Sequence, residues 1–255
     1  MKISSGKALM ALATSALVLS PTMASAETVM LAPNDFVGIS FWTISMAMVA
    51  ASIFFLMEAG RFSTKWRTSM VVGSLVTIIA AVHYFYMRDV WVATGETPTV
   101  YRYVDWLITV PLQMVEFYFI LAAVAAVSAG IFWRLLIGSL VMLVGGYLGE
   151  AGMINIWLGF IIGMAGWAYI LYEIFAGEAG KVSAESAPES VKAAFGTMRL
   201  IVTVGWAIYP LGYFFSYLGG AADPILLNVI YNVADVINKI AFVAVIWAAA
   251  NKETA

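Results

Sequence analysis

Residues 226–250 read LLNVIYNVADVINKIAFVAVIWAAA, and Asp235 and Lys239 are the only charged side chains in the run. A helix that crosses the hydrocarbon of a bilayer needs about 20 consecutive apolar residues, and this stretch supplies them. An ammonium near the middle of such a helix costs about 2.5–3.5 kcal/mol on insertion scales, so an intramembrane lysine faces a protein interior and marks a functional site. Asp235 precedes Lys239 by four residues and shares its helix face.

The rest of the chain has the same character. Of its 255 residues 63% are hydrophobic and 11% charged, against roughly 25% charged in an ordinary soluble domain. An all-α integral membrane protein is the fold class this composition implies. A net charge of -2 gives no reason to expect nucleic acid or an acidic substrate. With no cysteine there is no disulfide, thiolate metal site or cysteine nucleophile, and no metal site is expected.

Residues 1–26 have the make-up of a cleaved signal peptide: Lys2 and Lys7, then the apolar run Ala8 to Leu19, then Ala24-Ser25-Ala26. A run of 12 apolar residues is too short for an eighth membrane helix. In the remaining domain, residues 27–255, the segments are Asp35 to Glu58, Thr68 to Met87, Tyr101 to about Val127, Trp133 to Leu148, Ile154 to Phe175, Phe195 to Leu218 and Pro224 to Ala250. Between the second and third, Val90 to Val100 alternates apolar and small polar residues about Gly95, which predicts a short extracellular hairpin. Gly177 to Lys192 reads as a solvated polar linker, and Glu150 as a solvated turn residue.

Arg61, Lys65, Arg67, Arg134, Lys181, Lys192, Arg199 and Lys252 fall on one side of the membrane in this scheme and Arg88 on the other. The basic side is cytoplasmic by the positive-inside rule, which leaves the mature N-terminus outside and the C-terminus inside. The third and seventh segments then both run inward.

The third segment carries Arg102, Asp105, Thr109, Gln113 and Glu116. Asp105 and Glu116 are 11 residues apart, close to three whole turns, so they share a face at different depths, roughly 16 Å apart. With Asp235 and Lys239 this makes five intramembrane ionisable groups, whose separate insertion costs would rival the about 5–15 kcal/mol of a protein's whole stability. They must compensate one another. Arg102 and Lys239 balance Asp105 and Asp235, and Glu116 is left among Val115, Phe117 and other apolar neighbours, where a bare carboxylate is costly and the acid is expected to keep its proton. Pro111 and Pro210 are expected to bend their helices.

Three stretches together, RYVDWLITVP at 102–111, GWAIYP at 205–210 and DVINK at 235–239, resemble the microbial rhodopsins, the proteorhodopsins among them. The resemblance implies seven transmembrane helices around all-trans retinal, bound to Lys239 as a protonated Schiff base. It implies Asp105 as counterion and proton acceptor, Asp235 as second counterion with Arg102 as their partner, and Glu116 as proton donor. Asp105, Thr109 and Glu116 form the family's proton-pump triplet, and His83 pairs with the acceptor. Trp106, Trp206, Tyr209, Pro210 and Tyr231, with Met142 and Trp167, correspond to the retinal cage. Gln113 stands where blue-absorbing members carry Gln and green ones Leu. The function so implied is not enzymatic: a light-driven outward proton pump in a bacterial inner membrane, surrounded by lipid and assembled as a homo-oligomeric ring. The alternative is a photosensory receptor that signals to a partner.

Overall fold

Hydrophobic runs of this length leave backbone groups that only an internally bonded helix can satisfy in lipid, and seven such helices form. The computed structural model describes residues 30–220 and 223–254, so the proposed signal peptide lies outside the described residues. The helices are α1 (Phe36–Ala59), α2 (Thr64–Thr94), α3 (Thr99–Ala122), α4 (Ala129–Glu150), α5 (Ile156–Ser186), α6 (Glu189–Leu218) and α7 (Pro224–Thr254).

Local chemistry sets several of their starts. Asp35 accepts from the Gly38 N–H at 2.9 Å, Ser128 from Gly130 at 3.0 Å, Asn155 from Trp157 and Leu158, and Asp223 from Ile225 at 2.8 Å. Each side chain satisfies donors that the first helical turn leaves free. Sequential helices pack side by side, and α7 returns to α1, α2 and α6. The acid-bearing α3 is the most enclosed, with 67% of its apolar window buried against 28–50% in the other six helices. Close packing of α4 on α5 depends on glycine: a Cβ at Gly166 would meet the Met142 backbone nitrogen at 2.6 Å, and one at Gly159 the Gly149 Cα at 2.6 Å.

Widened, π-helical turns interrupt α6 at Ile201–Gly205 and Phe214–Leu218, and α7 at Val236–Ala241. Such turns are frequent at functional sites, and the one in α7 contains Lys239.

Two expectations are corrected. There is no hairpin at Val90 to Val100: α2 continues to Thr94 and stops at Gly95, whose φ of +70° and N–H bond to the Trp91 carbonyl at 2.7 Å make it a helix cap. Trp91 also donates to the Asp35 carboxylate at 3.0 Å, a tertiary anchor that outweighs the local alternation. The polar linker is likewise mostly helical, since Glu178–Ser186 is helix and α6 begins at Glu189. Arg134 fixes its start by bonding both Glu173, at 2.9 Å, and Glu178.

Candidate functional site

Lys239 is 2% exposed and Asp105 is completely buried, and the Lys239 ammonium donates directly to Asp105 Oδ2. Asp235, one turn back on α7, stands 3.4 Å from the same nitrogen. It accepts from the Tyr84 hydroxyl at 2.7 Å and from the Tyr209 hydroxyl as well. A buried carboxylate is tolerated when charges and donors close around it, and α2, α6 and α7 each contribute one here.

Several of the remaining predicted residues are near this centre, though not always as expected. His83 Nδ1 lies 3.7 Å from Asp105 Oδ1 and 2.9 Å from the Ile79 carbonyl, so it neighbours the acid without bonding to it. Thr109 donates to the Asp105 backbone carbonyl at 3.0 Å. Arg102 makes no direct ion pair with the acids it was expected to partner: its guanidinium donates to the side-chain oxygens of Asn228, at 2.7 Å, and Asn232, at 2.8 Å, and to no carboxylate among the described residues. It also faces the rings of Phe41 and Tyr231 at 5.3 and 5.4 Å. Neutral amides and aromatic faces, rather than ion pairing, solvate this cation.

Further along α3, Gln113 donates from Nε2 to the Asn238 carbonyl at 2.5 Å, which fixes its amide beside the residue that precedes Lys239. Glu116 is fully buried; Oε2 accepts from the Ser69 hydroxyl, and Oε1 has no partner among the described residues. Glu150, read as solvated, is instead partly buried and accepts from the Tyr103 hydroxyl at 2.6 Å.

A cavity of about 100 Å³ has walls that include Trp106, Met142, Trp167, Trp206, Tyr209, Pro210 and Tyr231, while Lys239 and Gln113 do not line it. The Trp106 ring meets those of Tyr209 and Tyr231 edge-on, at centroid distances of 5.1 and 6.1 Å. The Trp167 indole N–H donates to the Val202 carbonyl at 3.0 Å. Trp106, Trp206 and Tyr231 are each under 9% exposed, so these rings wall an interior space.

Sequence reasoning missed Ser69, Tyr84, Asn228 and Asn232. The two asparagines carried a usable signal, because Asn228, Asn232, Asp235 and Lys239 follow one another at spacings of four, three and four on one helix face. Ser69 and Tyr84 carried none: a serine or tyrosine in an apolar helix usually bonds to its own backbone or packs.

With the geometry in hand, comparison with known proteins gives concordant results. Residues 35–253 match the family model described as bacteriorhodopsin-like protein. The green-light absorbing proteorhodopsin of Gamma-proteobacterium EBAC31A08 is 52% identical over 222 residues, 87% of this chain and 89% of that one. The blue-light absorbing proteorhodopsin of Gamma-proteobacterium Hot 75m4 is 52% identical over 223 residues, 87% and 88% of the two chains. The crystal structure of blue light-absorbing proteorhodopsin from Med12 superposes with a TM-score of 0.74 at 51% identity, covering 86% of this chain and all of that one. Seven membrane-length helices, a lysine buried against two carboxylates and these matches lead to one assignment: the chain belongs to the bacteriorhodopsin-like family of microbial rhodopsins.

Proposed function

We propose that the protein is a light-driven pump that moves protons outward across a bacterial inner membrane, with all-trans retinal attached covalently through Lys239. The observation that carries this reading is the asymmetry of the two buried acids on α3: Asp105 is in contact with the Lys239 ammonium, whereas Glu116 has a single hydroxyl partner and no cation among the described residues. The residues fit retinal, since a buried primary amine reacts with an aldehyde and the nearby cavity is walled by apolar and aromatic side chains suited to a conjugated hydrocarbon.

Retinal, when bound, supplies visible absorption and a light-driven change of shape at the attachment nitrogen. Asp105 is the residue placed to take a proton from Lys239 Nζ. Asp235, held by Tyr84 and Tyr209, remains as the second negative charge and keeps the site balanced after that transfer. Glu116 returns a proton to Nζ from the other side, and Ser69 holds its carboxyl in one orientation meanwhile. Arg102, anchored by Asn228 and Asn232, keeps a fixed positive charge on the Asp105 side and favours proton departure there. With the basic loops inside, the Asp105 side is outer and net transfer is outward.

The fixed amide of Gln113 beside Asn238 supports blue absorption. Excitation moves positive charge away from the nitrogen, so a dipole that stabilises charge there favours the ground state. Residues 1–26 would be removed on export, leaving a multi-pass chain with its N-terminus outside, assembled as a ring. The intact mass of membrane-purified protein tests the cleavage.

Cells that make the retinal-loaded protein should acidify an unbuffered medium on illumination, and a protonophore should abolish the signal. A pigment that bleaches and recovers in light without moving protons would instead favour the sensory alternative.

A further inference from the structure

Every arginine of the chain but one donates from its side chain to an acceptor of the protein. Arg61 bonds Glu58, Arg67 the Phe62 carbonyl, Arg88 Asp89, Arg102 its two asparagines, and Arg134 both Glu173 and Glu178. Arg199 on α6 is the exception. Its Nε is buried without a partner, and its guanidinium forms no hydrogen bond or ion pair among the described residues. It faces two rings instead, with its central carbon 4.9 Å from the centre of Phe175 on α5 and 5.5 Å from that of Phe195 on α6. The acids Glu173 and Glu178, which flank Phe175 on α5, are already held by Arg134.

The surroundings place Arg199 at the rim of the lipid-facing surface. Phe195 is fully buried whereas Phe175 is more than half exposed, so the guanidinium lies between the bundle interior and its outside. Its level is that of the Arg134–Glu173 pair, because Phe175 follows Glu173 by two residues on α5 and Arg134 stands in the second turn of α4. Trp133 and Tyr172, beside that pair in sequence, are both more than half exposed, as aromatic side chains are where hydrocarbon meets headgroups. Farther into the membrane along α6, Leu200 and Val204 are exposed and apolar.

A guanidinium carries its charge permanently, and its planar fork matches a phosphate through two parallel hydrogen bonds. Aromatic rings offset part of a cation's charge but supply no oxygen to its N–H groups. Arg199 is therefore a cation at headgroup depth for which the described residues provide no anion, and the bilayer carries phosphate there.

We propose that Arg199 anchors one anionic phospholipid in the crease between α5 and α6, with the phosphate on the guanidinium and the acyl chains along Leu200 and Val204. The lipid would steady α6 just before its first widened turn, since the Thr203 hydroxyl of that turn donates to the Arg199 carbonyl at 2.7 Å.

Native mass spectrometry of the full-length protein in neutral detergent, titrated with phosphatidylglycerol or phosphatidylcholine, tests the site. The unaltered protein should prefer the first phosphatidylglycerol. Arg199→Met should weaken that binding by about tenfold or more and leave phosphatidylcholine binding as it was. Arg199→Lys, which keeps the charge without the fork, should recover part of the loss. Arg199→Gln replaces the Met variant if circular dichroism shows that the latter has lost helix. In vesicles, added phosphatidylglycerol should raise the thermal midpoint of the unaltered protein more than that of the neutral variant. Equal phosphatidylglycerol affinity in the unaltered and neutral proteins overturns the proposal. So does displacement of the lipid by millimolar inorganic phosphate, which would mean a free-anion site. An oligomer that dissociates in Arg199→Met while lipid retention is unchanged also overturns it, because the partner is then a second copy of the chain. None of these readouts requires pumping, so the lipid site and the pump stand or fall separately.

Discussion

The two ends of α3 hold the same functional group in opposite surroundings. Asp105 and Glu116 are both fully buried, 11 residues apart on one helix. Around Asp105 stand the Lys239 ammonium, the His83 ring at 3.7 Å and Asp235, which is itself bound by two tyrosines. Around Glu116 stands one serine hydroxyl. A carboxylate in low dielectric persists only where charge and donors compensate it, so on the proposed reading the Asp105 end, outer there, is compensated as an anion and the Glu116 end, inner there, is not. On the proposed reading, neighbours on α2 and α7, more than the acids themselves, set one proton-accepting end and one proton-holding end.

The largest effect follows from erasing the outer end. Asp105→Asn leaves Lys239 with Asp235 at 3.4 Å as its remaining carboxylate. Light-driven acidification should fall to background on a pH electrode, and the pigment should shift to the red, because the charge that stabilises the ground state at Nζ has been removed. Persistent pumping in this variant would dissolve the distinction between the two acids.

Erasing the inner end should alter rate and leave colour alone. A positioned acid contributes about 10²–10⁴-fold to a proton transfer, so Glu116→Gln should slow recovery after a flash by about 10²-fold or more while the absorption maximum stays in place. A colour shift as large as that of Asp105→Asn would mean that the two sites are not electrically separate.

How much of this contrast was readable in advance depends on the residue. The seven spans, the lysine and both acids stood out because charge in an apolar run is rare, and helical spacing put Asp105 and Glu116 on one face. The partners of those acids did not stand out. Ser69 and Tyr84 become ligands only when α2 is packed on α3 and α7, and no periodicity announces that. The direct partners of Arg102 did not stand out, because counting charges ignores amides: Asn228 and Asn232 accept from it. Where local pattern and tertiary contact disagreed, contact prevailed, as at Val90 to Thr94, where Trp91 reaching Asp35 keeps as helix a stretch that alternates like a strand.

His83 tests whether the outer end owes anything to a neighbour that does not bond to it. At 3.7 Å from Asp105 Oδ1 and on the Ile79 carbonyl, the ring could influence that acid only through space. The acid-to-base colour titration of His83→Ala should therefore have its midpoint displaced from that of the unaltered protein. Superimposable titration curves would reduce His83 to packing.

The smallest effect is expected at Gln113, which lies between the two acids in sequence and is tied to α7 beside Lys239. Its Nε2 donates to the Asn238 carbonyl at 2.5 Å, and Asn238 in turn donates to the Tyr209 hydroxyl at 3.0 Å, the same hydroxyl that binds Asp235. Removing the amide in Gln113→Leu takes away a fixed dipole beside Lys239 and frees one carbonyl of the widened turn, but leaves every charge where it is. The absorption band should move to the red by less than in Asp105→Asn, with recovery slowed far less than in Glu116→Gln. A spectrum indifferent to this substitution would mean that the field at Nζ is set by the carboxylates alone, and the blue assignment would then have no structural support.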